Sequence, residues 1–139
     1  MASVVLESEL DHVRALYRLT GYRGEVQLGD IVVGAWRGPD LVGAVRIATE
    51  HGVRVLRGMR VQPEFQRRGI GTEILGEVRL LLDGIECFAI AYPHLKGFYG
   101  RIGFCTSEEC EAPAFLRDRI NTYRTENPQQ GFILIRKAA

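Results

Sequence analysis

The stretch VQPEFQRRGIGTEIL, residues 61–75, runs from an apolar strand end through a proline and a basic run to two glycines, then directly into an amphipathic helix. A strand that feeds a glycine-rich turn and a helix N-terminus aims several unpaired backbone amides at one spot. The helix dipole adds partial positive charge there, so the turn favours an anion, most often a phosphate. Gly69 and Gly71 are expected to let the backbone approach such a ligand closely and to take positive φ without strain. Arg67 and Arg68 add charge where a pyrophosphate would lie. Two common phosphate-binding patterns do not fit. A Walker loop requires Lys-Ser/Thr after its last glycine, but Thr72 follows Gly71 with no lysine. A dinucleotide fingerprint requires a third glycine where this chain has Ile74.

Outward from the turn, Ile70, Ile74, Leu75, Val78, Leu81 and Leu82 recur at helical spacing and predict the helix that follows it. Upstream, VRVLRGMRV (53–61) predicts a strand reached through the turn Glu50-His51-Gly52. DIVVGAW (30–36) and LVGAVRIA (41–48) precede it as two strands joined at RGPD. SELDHVRALYRLTG (8–21) predicts a helix with Ser8 as cap and Leu10, Val13, Leu16 and Tyr17 on its inner face. Downstream, ECFAIAY (86–92) reads as a short buried strand because it is nearly all apolar. LKGFYGRIGF (95–104) predicts a short helix broken at Gly103. Pro113 opens a last helix with Phe115, Leu116, Ile120 and Tyr123 inward, and GFILIRK (131–137) closes as a strand. This order predicts an α/β (α+β) fold, a mixed sheet with helices on its faces. No repeat or linker divides the chain, so residues 1–139 are expected to form one domain.

The 139 residues are 46% hydrophobic and 25% charged, the balance of a globular chain long enough to bury a core. A formal net charge of +1 gives no bulk attraction to nucleic acid or to an acidic membrane. The segments RVLRGMR and QRR lack interleaved aromatics, so a nucleic-acid partner is not expected. No apolar run approaches the roughly 18–20 residues that cross a bilayer. The start, MASVVLESELDHV, has no secretion-signal pattern, and a cytoplasmic location is expected. Cys87, Cys105 and Cys110 form no CxxC pair; two or three of them are expected as small core residues in a reduced cytoplasm, with no metal site.

These segments resemble a family. VQPEFQRRGIG, followed about 30 residues later by FYGRIGF, is similar to the paired motifs of the GCN5-related N-acetyltransferases, or GNAT fold. Gln66, Arg67, Arg68, Gly69, Ile70 and Gly71 meet the family's Q/R-x-x-G-x-G/A signature. MRVQPEF matches its strand ending in V-x-P, and FYGRIGF its (F/L)-Y-x-x-x-G-F pattern. The resemblance covers roughly residues 31–136. It implies a mostly antiparallel sheet splayed between strands 53–61 and 86–92, with acetyl-CoA as cofactor. The amides from Arg67 to Thr72 would hold the CoA pyrophosphate, with Gln66 beside them. The pantetheine arm would enter the splay and pair with backbone groups of Met59 and Val61, with Arg60 and Tyr92 alongside. Tyr99, five residues before Phe104, stands at the family's general-acid position. A phenol with a pKa near 10 can protonate the departing thiolate as an amine attacks the thioester.

Two departures from the family pattern shape the functional reading. Tyr92 stands seven residues before Tyr99, where many members carry an asparagine. Arg57 and Gly58 occupy strand positions where many carry an acid that accepts the amine proton. Glu50, Glu86, His51 and His94 are then the candidate bases, and no pattern selects among them. Arg46, Arg57 and Arg60 lie on strands of the half-sheet that walls the acceptor pocket in the family. Arginine forks a carboxylate or phosphate, so an amino acid or another carboxylate-bearing amine fits as acceptor. The alternative is that these arginines face solvent from one side of a sheet. The expected activity is transfer of an acetyl or larger acyl group from acetyl-CoA to a small-molecule amine. The competing class is a non-catalytic acyl-CoA sensor or partner module. Tyr99 favours catalysis, because binding alone requires no acid beside the sulfur. Quaternary state stays open, a homodimer being one option.

Overall fold

Two tight turns with left-handed backbone, at Gly38 (φ 58°) and at His51–Gly52 (φ 51° and 78°), fold residues 31–61 into a three-stranded meander. Its strands are β2 (Ile31–Arg37), β3 (Asp40–Glu50) and β4 (Val53–Val61), bracketed by β1 (Ala2–Val4) and β5 (Cys87–Ala91). With β6 (Cys105–Thr106) and β7 (Phe132–Arg136) they form one seven-stranded sheet in the order β1-β2-β3-β4-β5-β7-β6. Every neighbouring pair is antiparallel except β4 and β5. The helices are α1 (Leu10–Thr20), α2 (Ile70–Leu81), α3 (Lys96–Gly100) and α4 (Ala114–Glu126). The computed structural model describes residues 1–107, 111–127 and 131–138; Cys110 lies outside them. No helix among the described residues is long and apolar enough to cross a membrane.

The side-chain alternation of the strands divides the core between two faces. Val45, Leu56, Ala89 and Leu134 meet α2 and α3 on one face. On the other, Val32 and Ala44 meet α1, while Val55, Phe88 and Ile133 meet α4. The predicted stripe of α2 is buried at Ile70, Ile74, Leu75 and Val78, with Leu82 just past its end. Full burial of each such side chain contributes about 1.5–3 kcal/mol relative to exposure.

Four local details differ from expectation. β1 and β6 were too short to show a period, and both lie at sheet edges. Ser8 does not cap α1; a 3₁₀ turn over Glu7–Glu9 precedes the helix, and the Leu6 N–H donates to Glu9 Oε1 at 2.9 Å. Cys87 is a core residue as expected, but Cys105 is exposed on the edge strand. On α4, Leu116 and Ile120 are buried, whereas Phe115 and Tyr123 are only partly so.

Two irregularities of β4 position everything that follows. It pairs with β5 only through Arg54–Cys87, Val55–Phe88 and Leu56–Ala89, and beyond that point the strands part. On its other side, Ala44 pairs with Arg60 and Arg46 with Arg57, so one residue of β3 faces two of β4. That is a β-bulge, with Gly58 in left-handed backbone (φ 67°). The extra residue puts Arg57 and Arg60, three apart in sequence, on the same face as Arg46.

Candidate functional site

The gap between the parted strands is a cavity of about 690 Å³. Leu56, Met59, Ala89 and Ala91 form its strand walls. Gln66, Leu95 and Tyr99 line it from the α2–α3 side, and Tyr22, Arg119 and Tyr123 from the α1–α4 side. It therefore runs through the sheet.

At the α2 end the turn follows the predicted course with one exchange of roles. A 3₁₀ turn at Pro63–Phe65 ends the strand, and Gln66 Nε2 donates to the Val61 carbonyl at 3.2 Å. Arg67 (φ 63°) and Gly69 (φ 82°) take left-handed backbone. Gly71 does not: it lies inside α2, where a Cβ would meet the Phe98 ring at 2.9 Å. Its bareness serves the packing of α3 on α2. Gly69 is the N-cap of α2, and no side chain caps the helix. The first-turn amides and the exposed Arg67 and Arg68 are thus placed to receive an anion. Thr72 accepts a hydrogen bond from Arg101 Nη1 at 3.0 Å, which ties α3 to the same turn.

Tyr99 lies in α3 beside the splay, 8% exposed, with Phe98 and Phe104 in edge contact at 5.0 and 6.0 Å. Burial pushes its phenol up to about 12. Its hydroxyl makes no hydrogen bond among the described residues, so it is available as a donor. Tyr92, by contrast, is exposed at the mouth and stacks on His94, with ring centroids 5.7 Å apart.

The α1 end is assembled from side chains. Gly21 (φ 73°) closes α1 and turns the chain so that Tyr22 lies over β3 and β4. Arg46 is 2% exposed and does not line the cavity. Its Nη1 donates to Asp30 Oδ2 and its Nη2 to the Tyr22 hydroxyl, both at 2.7 Å. Burial opposes its charge, yet the hydrogen bonds to Asp30 and Tyr22 outweigh that and hold the guanidinium above its ordinary pKa. Arg46, expected to contact an acceptor, is thus placed off the cavity lining and paired with Asp30. Among the described residues the buried Tyr17 hydroxyl meets no partner at hydrogen-bond geometry, and burial raises its pKa strongly. A Cβ on Gly58 would meet that hydroxyl at 2.7 Å and the Tyr22 ring at 2.9 Å, so the bulge requires glycine.

Arg57 and Arg60 both line the cavity. Arg60 lies over the Tyr22 ring, 5.3 Å from its centroid, and donates to the Thr20 carbonyl at 3.4 Å. Glu50 accepts two hydrogen bonds from Arg119, at 3.0 and 2.9 Å, and one from Arg57 at 3.3 Å. Burial would raise the pKa of Glu50, but Arg119 and Arg57 hold it below the usual carboxylate range, which makes it a poor base. Of the other candidate bases, Glu86 does not line the cavity and His51 packs on Phe115 at 4.6 Å. Only His94 does. Among the described residues no Asp or Glu lines the cavity. Tyr22, Arg119 and Tyr123 were not expected here. The sequence signals near them were the helix-ending Gly21 beside Tyr22 and the inward stripe of the last helix that includes Tyr123.

A family model described as an acetyltransferase (GNAT) domain matches residues 11–117. No curated protein matches the chain in sequence. The N-acetylglutamate synthase of Neisseria gonorrhoeae, solved with coenzyme A and N-acetyl-glutamate, superposes with a TM-score of 0.70 at 20% identity, covering 100% of this chain. The chain spans 35% of the length of that synthase. An aminoglycoside 6'-N-acetyltransferase complexed with coenzyme A gives 0.72 at 13% identity, covering 100% of this chain and 97% of its own. The PaiA N-acetyltransferase of Thermoplasma acidophilum, also with coenzyme A, gives 0.63 at 15% identity, with 99% of each chain covered. The mostly antiparallel sheet with helices on its faces is the fold these structures share.

Proposed function

Because the chain belongs to the GNAT acetyltransferase family, we propose that it moves an acetyl or larger acyl group from acetyl-CoA to the amine of a small, carboxylate-bearing molecule. The observation that carries the proposal is the free hydroxyl of Tyr99 beside the splay, protonated at neutral pH. Acetyl-CoA, when bound, supplies the activated thioester. The amides from Arg67 to Thr72, with Gly69 in left-handed backbone, hold its pyrophosphate at the start of α2. Gln66, Ile70 and Arg68 shape that turn, and the backbone of Met59, Arg60 and Val61 is the edge left open where β5 departs. Tyr92 lies at the mouth of the same gap.

The acceptor enters from the opposite face. Its nitrogen forms the new bond to the acyl carbon as the carbon–sulfur bond breaks, and Tyr99 gives its proton to the departing sulfur. The amine's own proton leaves to water or to His94, the candidate base on the lining. Arg57 takes the acceptor's carboxylate, a role that Arg46 cannot share. An amino-acid acceptor is in keeping with the synthase that superposes on the chain, which was solved with N-acetyl-glutamate. Residues 1–139 act as one catalytic domain. The free thiols of Cys87 and Cys105 suit the reducing cytoplasm.

The test is a panel of amino acids and their decarboxylated amines incubated with acetyl-CoA, scored by release of free thiol. Transfer to the amino acids and not to the bare amines is expected. Tight binding of acetyl-CoA with no transfer to any amine would instead make the chain an acyl-CoA sensor.

A further inference from the structure

The acceptor end of the cavity is out of electrical balance in a way that one carboxylate does not satisfy. Three guanidiniums line it, those of Arg57, Arg60 and Arg119, and the described lining contains no acid. Among the described residues Glu50 is the one carboxylate bonded to any of them, and it is shared. Arg119 occupies both of its oxygens, which leaves Arg57 a single long contact at 3.3 Å. Among the described residues Arg60 has only a carbonyl oxygen at 3.4 Å and the face of Tyr22. Two positive charges are therefore in excess. Arg46, the fourth arginine on this face, is already neutralised by Asp30.

The excess sits in two places. The bulge at Gly58 sets Arg57 and Arg60 on one face, separated by about two regular strand residues, or roughly 7 Å. Arg57 is backed by Arg119 from α4, and Arg60 by Tyr22 from the end of α1. These are separate stations along the β4 wall of the slot. Both are on the far side of the sheet from the glycine turn, since Gly43 faces Ile70 of α2 while the neighbouring Ala44, paired with Arg60, faces α1. The pyrophosphate site therefore cannot account for them.

We propose that the acceptor amine carries two acidic groups, one held by Arg57 with Arg119 and the other by Arg60. An amino-dicarboxylate, or an amino acid bearing a phosphate, has this chemistry. The assignment rests on the acyl-transfer reading above and narrows it.

The experiment compares specificity constants for glutamate against glutamine, and for O-phosphoserine against serine, with acetyl-CoA as donor. The matching decarboxylated amines form a third arm. A charged hydrogen bond contributes enough for a preference of roughly 10- to 150-fold in at least one pair. Arg60→Gln or Arg119→Gln should then bring that ratio towards one, while the thermal shift with coenzyme A reports that each variant is folded. Equal constants within both pairs would overturn the second acidic group and leave transfer to singly acidic amino acids standing. A preference that neither variant changes would overturn the assignment to these arginines. Bare amines accepting as well as the amino acids, or no amine accepting at all, would overturn this proposal together with the function it rests on.

Discussion

At the α2 end, next to the cavity, the candidate site is made of backbone: left-handed residues at Arg67 and Gly69 and an uncapped helix start, with exposed arginines beside them. At the α1 end the cavity is bounded by side chains brought from β4, α4 and the segment after α1, and Tyr22, Arg57, Arg60 and Arg119 are each held by another charged or aromatic group. A backbone site is specified by what is missing, since a Cβ or a cap would obstruct it. A side-chain site is specified by what is present and by the partners that fix it. The two ends should therefore fail differently. The first breaks when an atom is added, the second when one is removed.

Tyr99 lies between the ends and is the place where both would be spent. Tyr99→Phe keeps the ring contacts with Phe98 and Phe104 and removes only the hydroxyl. Turnover is expected to fall by about 10²–10⁴, with coenzyme A affinity and melting temperature little changed. Because burial pushes the phenol up to about 12, the wild-type rate should show no loss from Tyr99 ionisation below about pH 11. An unchanged turnover in the variant, with chemistry shown to be rate-limiting, removes Tyr99 as the acid.

Arg46→Met tests the acceptor end by subtraction. It leaves the Asp30 carboxylate, 3% exposed, without its partner, and breaking a buried pair in this way costs about 3–5 kcal/mol. For a chain of this length the melting temperature should drop on the order of 10–20 °C. Asp30 and Tyr22 would lose their anchor, so the acceptor KM should rise while coenzyme A affinity in the folded fraction stays put. A melting temperature within a degree or two of wild type would show that the pair does not hold this wall. Adding Asp30→Asn should return part of the loss, because it removes the stranded charge.

The same contrast explains what could be seen in the sequence. Gly69, the strand ending at Val61, the stripe of α2 and the segment around Tyr99 follow local rules of turn chemistry and periodicity, and the structure places them where those rules do. Gly71 obeyed the motif for a different reason: its constraint comes from Phe98, 27 residues away, which no local pattern reveals. Arg46 and Arg57 looked alike as strand arginines. One is sealed by Asp30 and the other faces the cavity, a distinction set by where the segment after Gly21 folds. Arg119 reaches the site only because α4 crosses the ends of β3 and β4, so its role depends on a contact 69 residues long in sequence. Edge strands of two and three residues carried no period to read.

Gly69→Val tests the cofactor end by addition, and its effect should be the smallest of the three. A Cβ at Gly69 meets no protein atom within 4 Å, so packing gives no reason for the unliganded protein to unfold. The backbone is another matter, because φ is 82° and a β-branched residue holds that conformation at a cost of about 1–3 kcal/mol. The exposed turn can relax away from the strain when empty and must return to it when the amides close on a pyrophosphate. The cost then falls on binding, and the Kd for coenzyme A should rise about 5- to 150-fold. The acceptor KM, set on the other side of the sheet, should hardly move. Gly71→Val is the internal control: it drives a side chain into Phe98 and should lower the melting temperature. If Gly69→Val stays folded and binds coenzyme A within twofold of wild type, the amides of this turn do not hold the phosphates.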